Sequence, residues 1–271
     1  MAKPRFVDVH GHINFKAFAD DYRDVIQRTL AQNVWIIMPG SQLPTSRRAV
    51  EISREFGGRG VWAAVGHHPT HALDMPWNKA DYDQLIKENR PYVKAIGETG
   101  IDYYRVPPDP AEKETYLERQ QEIFREHLEL AAEHRLPLII HCRDAYEDLH
   151  RMIAEFRTQL RPQFPGLIHC FVGDEKIARQ FLDLGFFISF TGIITFTDDP
   201  GLLQAVKDVP LDRLTIETDA PYLTPIPHRG KRNEPLYTQF IAAKVAELKG
   251  VPLEKVLQQT AENSLKLFDL S

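Results

Sequence analysis

Short apolar, β-branched runs alternate with longer stretches of helical period along the whole chain. The runs that read as strands are Arg5–Val9, Val34–Met38, Val61–Val65, Val93–Ile96, Pro137–Ile140, Gly166–Ile168, Phe186–Ser189 and Leu214–Ile216. Between them lie helix-like stretches such as Ala17–Ala31, Thr45–Phe56, Ala111–His134, Ala145–Phe156 and Glu175–Leu184. In Ala111–His134, Leu117, Ile123, Phe124, Leu128 and Leu130–Ala131 form one apolar stripe, with Glu, Arg and Lys on the other face. Asp81 and Asp174 read as helix N-caps, and Gly57, Gly185 and Gly250 as helix C-terminal residues.

Eight strand candidates separated by helices predict parallel pairing through right-handed crossovers. Eight is also the number of units that closes a TIM (β/α)8 barrel, with an open doubly wound sheet as the alternative. No Gly/Ser linker, repeat or low-complexity run divides the chain, so residues 1–271 are expected to form a single barrel domain. The Pro-rich piece Val106–Pro110 reads as a loop.

Composition narrows the class. Of 271 residues, 43% are hydrophobic and 26% charged, an ordinary globular balance with enough apolar material for a large core. The most apolar run, Phe186–Phe196, is too short for a membrane span and is interrupted by Ser189, Thr191 and Gly192. The first strand follows too closely on Met1 for the apolar region of a signal peptide. Cys142 and Cys170 are the only cysteines, which argues for a reduced, cytoplasmic setting. A net charge of −5 excludes broad nucleic-acid coating, yet leaves room for a local site that grips one phosphate.

Ionisable residues gather at the carboxyl ends of the predicted strands. Asp8, His10 and His12 follow the first at alternate positions; Glu98 and Asp102 follow the fourth; His141, His169 and Glu217 with Asp219 close the fifth, sixth and eighth. In a parallel barrel those ends open onto one mouth. A lone histidine there is usually structural. Four histidines with carboxylates that would otherwise repel each other point to cations. His10 and His12, close in sequence, should share one ion, while His141 and His169 serve another. Glu98 lies between and can bridge with one oxygen to each; Asp219 completes the first site and can take a proton from water. Asp8 is expected to fix an imidazole tautomer from outside. This nitrogen and oxygen donor set suits Zn, Mn, Fe or Ni, whereas Mg usually prefers oxygen alone.

The motifs Asp8-Val-His-Gly-His12, Gly66-His-His-Pro69, Gly97-Glu-Thr-Gly-Ile-Asp-Tyr103, His141-Cys-Arg143, His169-Cys-Phe171 and Glu217-Thr-Asp-Ala-Pro-Tyr-Leu223 occur in this order. With Arg232-Asn-Glu-Pro235 and the Asn263–Phe268 stretch, the series resembles the TatD-type metal-dependent deoxyribonucleases over almost the whole chain. The resemblance implies an amidohydrolase-superfamily TIM barrel and two divalent ions (Mg, Mn or Zn). It also implies hydrolysis of DNA, single-stranded or at ends, without a membrane or an obligate protein partner. Carried over by position, the metal ligands are His10, His12, Glu98, His141, His169 and Asp219, with His68 near the substrate. Thr70 stands where members often have another His or an acidic residue.

Several further residues have competing readings. Arg143 can face the mouth and hold a phosphate oxygen, or pair with an Asp. The basic run His228–Arg232, with Arg232 as its last cation, can grip a backbone or be a solvated loop. Tyr103 and Tyr104 can stack on a base, or one of them can pack. His127, His134 and His150 read as surface residues; Trp35, Trp62 and Trp77 read as packing. Cys142 and Cys170 are expected to turn away from the metals as small core residues. The mechanism this predicts is two-metal phosphodiester hydrolysis with Asp219 as general base. The rivals are an amidohydrolase-type esterase or deacylase, for example on aminoacyl-tRNA, and a non-catalytic scaffold. Superfamily relatives that cleave lactones commonly bridge their metals with a carboxylated Lys on the fourth strand. Glu98 stands at that motif here, and Lys94 is expected at the far end of the strand.

Overall fold

A computed structural model of the chain describes residues 3–270. Eight parallel strands form one sheet in sequential order: β1 (Phe6–Asp8), β2 (Val34–Pro39), β3 (Val61–Val65), β4 (Val93–Asp102), β5 (Leu138–Arg143), β6 (Gly166–Ile168), β7 (Phe187–Phe190) and β8 (Leu214–Ile216). Strictly sequential order is what right-handed β–α–β units give when each helix returns the chain to the same end of the sheet. The last strand meets the first just beyond their ends. Asp219 N–H donates to His10 O at 2.8 Å and His12 N–H to Ala220 O at 2.8 Å. The sheet thus curls into a TIM barrel, not the open alternative.

Helices α1 (Tyr22–Ala31), α2 (Leu43–Glu55), α3 (Lys79–Glu88), α4 (Pro110–His134), α5 (Tyr146–Phe156), α6 (Glu175–Asp183), α7 (Pro200–Asp208), α8 (Thr238–Lys249) and α9 (Leu253–Phe268) cover the outside. The stretch Ala17–Ala31 starts later than its pattern suggests, because a 3-10 turn at Lys16–Phe18 precedes α1. Asn78, not Asp81, caps α3: its side chain accepts from Ala80 N–H, leaving Asp81 inside the first turn. Asp174 caps α6 by accepting from Ile177 N–H. Gly250 ends α8 at φ 65°, a left-handed conformation open to glycine without strain. No helix among the described residues is long and apolar enough to cross a membrane.

Strand β4 runs six residues past Ile96, where the apolar pattern stops. The continuation is hidden in sequence because it consists of Gly97, Glu98, Thr99 and Gly100 before Ile101 and Asp102. Both glycines have positive φ, 153° and 142°. A Cβ on Gly100 would run into the His141 carbonyl oxygen. The two glycines therefore let β4 press against β5 on either side of Glu98, and that approach sets where its carboxylate emerges.

His127 is fully buried, contrary to its expected surface position. Its Nδ1 lies 2.7 Å from Ile123 O, and its Nε2 accepts the His67 N–H at 3.1 Å. Trp77 stacks on the ring with centroids 4.3 Å apart. A helix as long as α4 meets more than one layer of the loops above it, so its buried face is wider than the stripe. His134 is half-buried against Asp83 at 2.9 Å, and His150 packs on Phe181. Trp35 and Trp62 pack as expected, edge to face.

Burial drives the His127 pKa from 6.5 down to about 3. This neutral imidazole contributes stability that is complete above pH 6.5 and declines as pH falls from 6.5 towards 3, since only the unfolded chain gains the proton. Between pH 7 and 5 that linkage removes about 2 kcal/mol. In urea unfolding, His127→Gln should therefore lose less stability than wild type over this interval, by roughly that amount. Parallel pH dependences of the two proteins would refute the assignment.

Candidate metal centre

The mouth of the barrel holds a cavity of about 670 Å³, lined by His12, His68, Glu98, His141, His169 and Asp219 among others. His10 lies directly beneath, fully buried. All six positions singled out as ligands come together, from β1, β4, β5, β6 and β8 ends. Glu98 divides them. Its Oε2 is 3.3 Å from His10 Nε2 and 3.5 Å from His12 Nε2. Its Oε1 is 3.2 Å from His141 Nδ1 and 3.7 Å from His169 Nε2. Asp219 Oδ1 joins the first group, 3.4 Å from His12 Nε2. Asp219 also keeps 17% of its side chain exposed against 6% for Glu98, so it forms the solvent side of the cluster.

What each histidine faces on its far side assigns its proton. His12 Nδ1 sits 3.1 Å from the Pro39 carbonyl, which only accepts, so Nδ1 carries hydrogen and Nε2 a lone pair. His141 Nε2 lies 3.1 Å from Asp102 Oδ2, leaving Nδ1 free to bind. His169 Nδ1 is 2.6 Å from Glu217 Oε1, leaving Nε2. Three lone pairs are thus aimed at the carboxylate oxygens of Glu98 and Asp219, an arrangement that repels itself unless a cation or protons lie between. Ligands about 2.1 Å from an ion stand roughly 3.4 Å apart around a tetrahedron, close to the separations quoted above. The donor set and its spacing fit divalent ions.

Charge tells the same story. Burial and the charge of His169 push His10 down to about 3, so its ring is neutral at neutral pH. Burial would raise Glu98, but His68, His10 and His141 hold it well below the usual carboxylate range. Burial would lower His169, yet Glu217, Glu98 and Asp219 together lift it to about 9. A proton or a metal cation answers the same concentration of negative charge.

His68 differs from the others. Thr70 N–H donates to His68 Nδ1 at 3.2 Å, so that nitrogen is the acceptor and Nε2 bears the hydrogen. Nε2 points at Glu98 Oε1, 3.2 Å away. Distance alone groups His68 with Glu98 and His141 as a metal cluster, but a protonated Nε2 donates hydrogen bonds instead of ligating. The backbone N–H of Thr70, which any residue but proline would supply, defines the His68 tautomer, and the Thr70 hydroxyl lies 2.7 Å from the same nitrogen.

Other expected residues fall elsewhere. Asp8 touches no imidazole nitrogen: it accepts from Thr218 N–H at 2.9 Å, Thr218 hydroxyl at 2.5 Å and His10 N–H at 3.3 Å, so it fixes backbone. Tyr103 is tied by its hydroxyl to Asp148 at 2.8 Å and packs on the core, away from the cavity lining. Arg232 is bound to Asp21 at 2.6 and 2.8 Å and to the Ala17 carbonyl, and does not reach the cavity. Arg143 lines it, its guanidinium 3.7 Å above the Tyr104 ring. Cys142 and Cys170 both line the cavity, contrary to expectation; Cys142 is buried there, and the left-handed backbone of Cys170 (φ 45°) breaks the strand alternation that would have turned it away. Lys94 lies at the opposite end, donating to the Asp269 carbonyl. Arg105 also lines the cavity; no motif signalled it, since it follows an irregular turn held by Asp102 Oδ1. Glu217 as the partner of His169 was equally unassigned, because Glu217-Thr-Asp219 offers two carboxylates and spacing does not say which faces which ring.

Residues 7–269 match the family described as TatD related DNase. The chain is 38% identical over 265 residues to the metal-dependent hydrolase YabD of Bacillus subtilis, covering 97% of this chain and 99% of that protein. To the metal-dependent hydrolase YcfH of Escherichia coli K12 it is 38% identical over 268 residues, covering 97% and 96%. Among solved structures, the TatD homologue YjjV of Escherichia coli K12 superposes with a TM-score of 0.87 at 29% identity, covering 98% and 99% of the two chains. A TatD family hydrolase of Entamoeba histolytica gives 0.83 at 24% identity over the full length of both. With a shared barrel, an ordered motif series and a match from one end of the sheet to the other, this chain belongs to the TatD family of metal-dependent hydrolases.

Proposed function

We propose that the protein hydrolyses phosphodiester bonds of DNA at a site for two divalent ions. The observation that carries this reading is the division of Glu98, one oxygen towards His10 and His12 and the other towards His141 and His169. A carboxylate at this place keeps two cations close together, the arrangement suited to phosphoryl transfer. The family description, TatD related DNase, supports DNA as the polymer. Divalent ions held by His10, His12, Glu98, His141, His169 and Asp219 would supply charge neutralisation at the phosphoryl oxygens and a water whose pKa falls from about 16 towards 7.

The chain's own groups do the rest. Asp219, on the solvent side, takes the proton of the attacking water as general base. His68 donates its Nε2 hydrogen to a non-bridging phosphate oxygen, with its tautomer held by Thr70. Arg143 and Arg105, which line the cavity, meet a neighbouring phosphate. Asp102 and Glu217 keep His141 and His169 in the binding tautomer.

Manganese- or zinc-loaded protein should shorten a single-stranded DNA oligonucleotide and leave an aminoacyl ester intact; hydrolysis of the ester alone would replace the nuclease reading with deacylation. Asp219→Asn should lower kcat by at least about 100-fold while the thermal melt stays cooperative. Near-wild-type turnover with metal bound would remove Asp219 from the base role. Glu217→Gln should weaken metal binding by about 10- to 100-fold in calorimetric titration, because the His169 tautomer is no longer enforced.

A further inference from the structure

Six large hydrophobic side chains stand exposed among the described residues: Leu73, Tyr104, Val172, Phe196, Tyr222 and Ile226. Each lies in a loop leaving the carboxyl end of a strand, after β3, β4, β6, β7 and, for the last two, β8. Isolated exposed apolar residues are ordinary. Six confined to the face that carries the metal centre are not a random scatter.

Two of the six carry a cation on the ring. Arg143 lies over Tyr104 at 3.7 Å and Arg229 over Phe196 at 3.9 Å. Arg229 also donates to the Thr224 carbonyl, and Ile226 N–H donates to Thr195 hydroxyl, so the loops after β7 and β8 are knitted together. Tyr222, 56% exposed, is the ring of this set that lines the cavity itself. Its backbone N–H donates to the Asp219 carbonyl at 2.8 Å, and its carbonyl accepts from Asn233 Nδ2 at 2.6 Å. An aromatic ring is thereby held at a fixed offset from a metal-site carboxylate, with its phenol free of protein partners among the described residues.

We propose that Tyr222 is the surface on which the nucleobase beside the scissile phosphate stacks, and that the Phe196–Arg229 pair receives the next base or its phosphate. The proposal rests on the phosphodiesterase reading and names the contacts that position the strand. A planar ring beside a guanidinium matches the alternation of base and phosphate along an unpaired strand. A protein partner would have no comparable need for cations laid on the Tyr104 and Phe196 rings. Stacking of one base on an aromatic side chain contributes about 1–3 kcal/mol.

The test uses two oligonucleotides of equal length, one natural and one with tetrahydrofuran abasic residues across the cleaved segment. Steady-state hydrolysis by the metal-loaded enzyme is compared for wild type, Tyr222→Ala, Tyr222→Phe and Phe196→Ala, with thermal melts recorded alongside. Wild type should favour the natural strand through KM. Tyr222→Ala should raise KM for that strand about 5- to 150-fold and bring the natural-to-abasic ratio close to one, whereas Tyr222→Phe keeps the ratio. Phe196→Ala should reduce it less. Equal loss on both strands in Tyr222→Ala means a merely structural role and overturns the proposal, as does a ratio unchanged from wild type. If wild type cuts both strands without preference, stacking falls and the phosphodiesterase reading stands. If it cuts neither while hydrolysing an aminoacyl ester, both fall.

Discussion

The site depends on how the first β–α unit is joined to the last. The backbone hydrogen bonds of that junction are reinforced by one buried carboxylate. Asp8 accepts the Thr218 N–H, the Thr218 hydroxyl and the His10 N–H, so it binds the end of β8 to the end of β1 in the interior. Burial pushes the Asp8 carboxyl up to about 7, and the hydrogen bonds from Thr218 and His10, which favour the carboxylate, offset part of that rise. Gly11 is required beside it, since a Cβ there would lie 2.9 Å from Asp8 Oδ2. Without the clasp, the backbone hydrogen bonds from Asp219 to His10 and from His12 to Ala220 would be left to hold the two sides of the site in register. Its removal would also leave the Thr218 donors unsatisfied in a dry interior.

From that frame the metal centre follows as a problem in proton bookkeeping. Three of the rings that offer a lone pair inwards face an acceptor from behind: a carbonyl for His12, Asp102 for His141 and Glu217 for His169, while His10 Nδ1 has no partner among the described residues. His68 is held by a donor and therefore presents hydrogen. The same amino acid serves as ligand or as hydrogen-bond donor according to what stands behind it, and the chain sets this with backbone groups and buried acids.

The barrel was legible because parallel strands buried on both faces are continuous apolar runs, and the helices between them keep their period. Legibility failed where short-range pattern and long-range contact diverge. The far half of β4 was invisible because close approach to β5 demanded glycine at 97 and 100. His127 was misplaced because its partner, His67 N–H, is 60 residues away. Ligand positions could be read from strand-end spacing, since the barrel makes those ends converge. The supporting groups could not: Asp8 looked like a partner for an imidazole because its partner lies 210 positions downstream. Tyr103 and Tyr104 are adjacent, and only the turn decides that one packs and the other stands out.

The basic run after β8 carries a last consequence. Arg232 is committed to Asp21 and Glu234, and Arg28 binds Glu234 from α1, so this loop is stapled to the first helix. Cations locked into internal pairs release no counterions when a polyanion arrives. On a protein of net charge −5, Arg105 and Arg143 are the arginines that line the mouth cavity. A polyanion resting there would be held by local contacts and not by a wide electrostatic field.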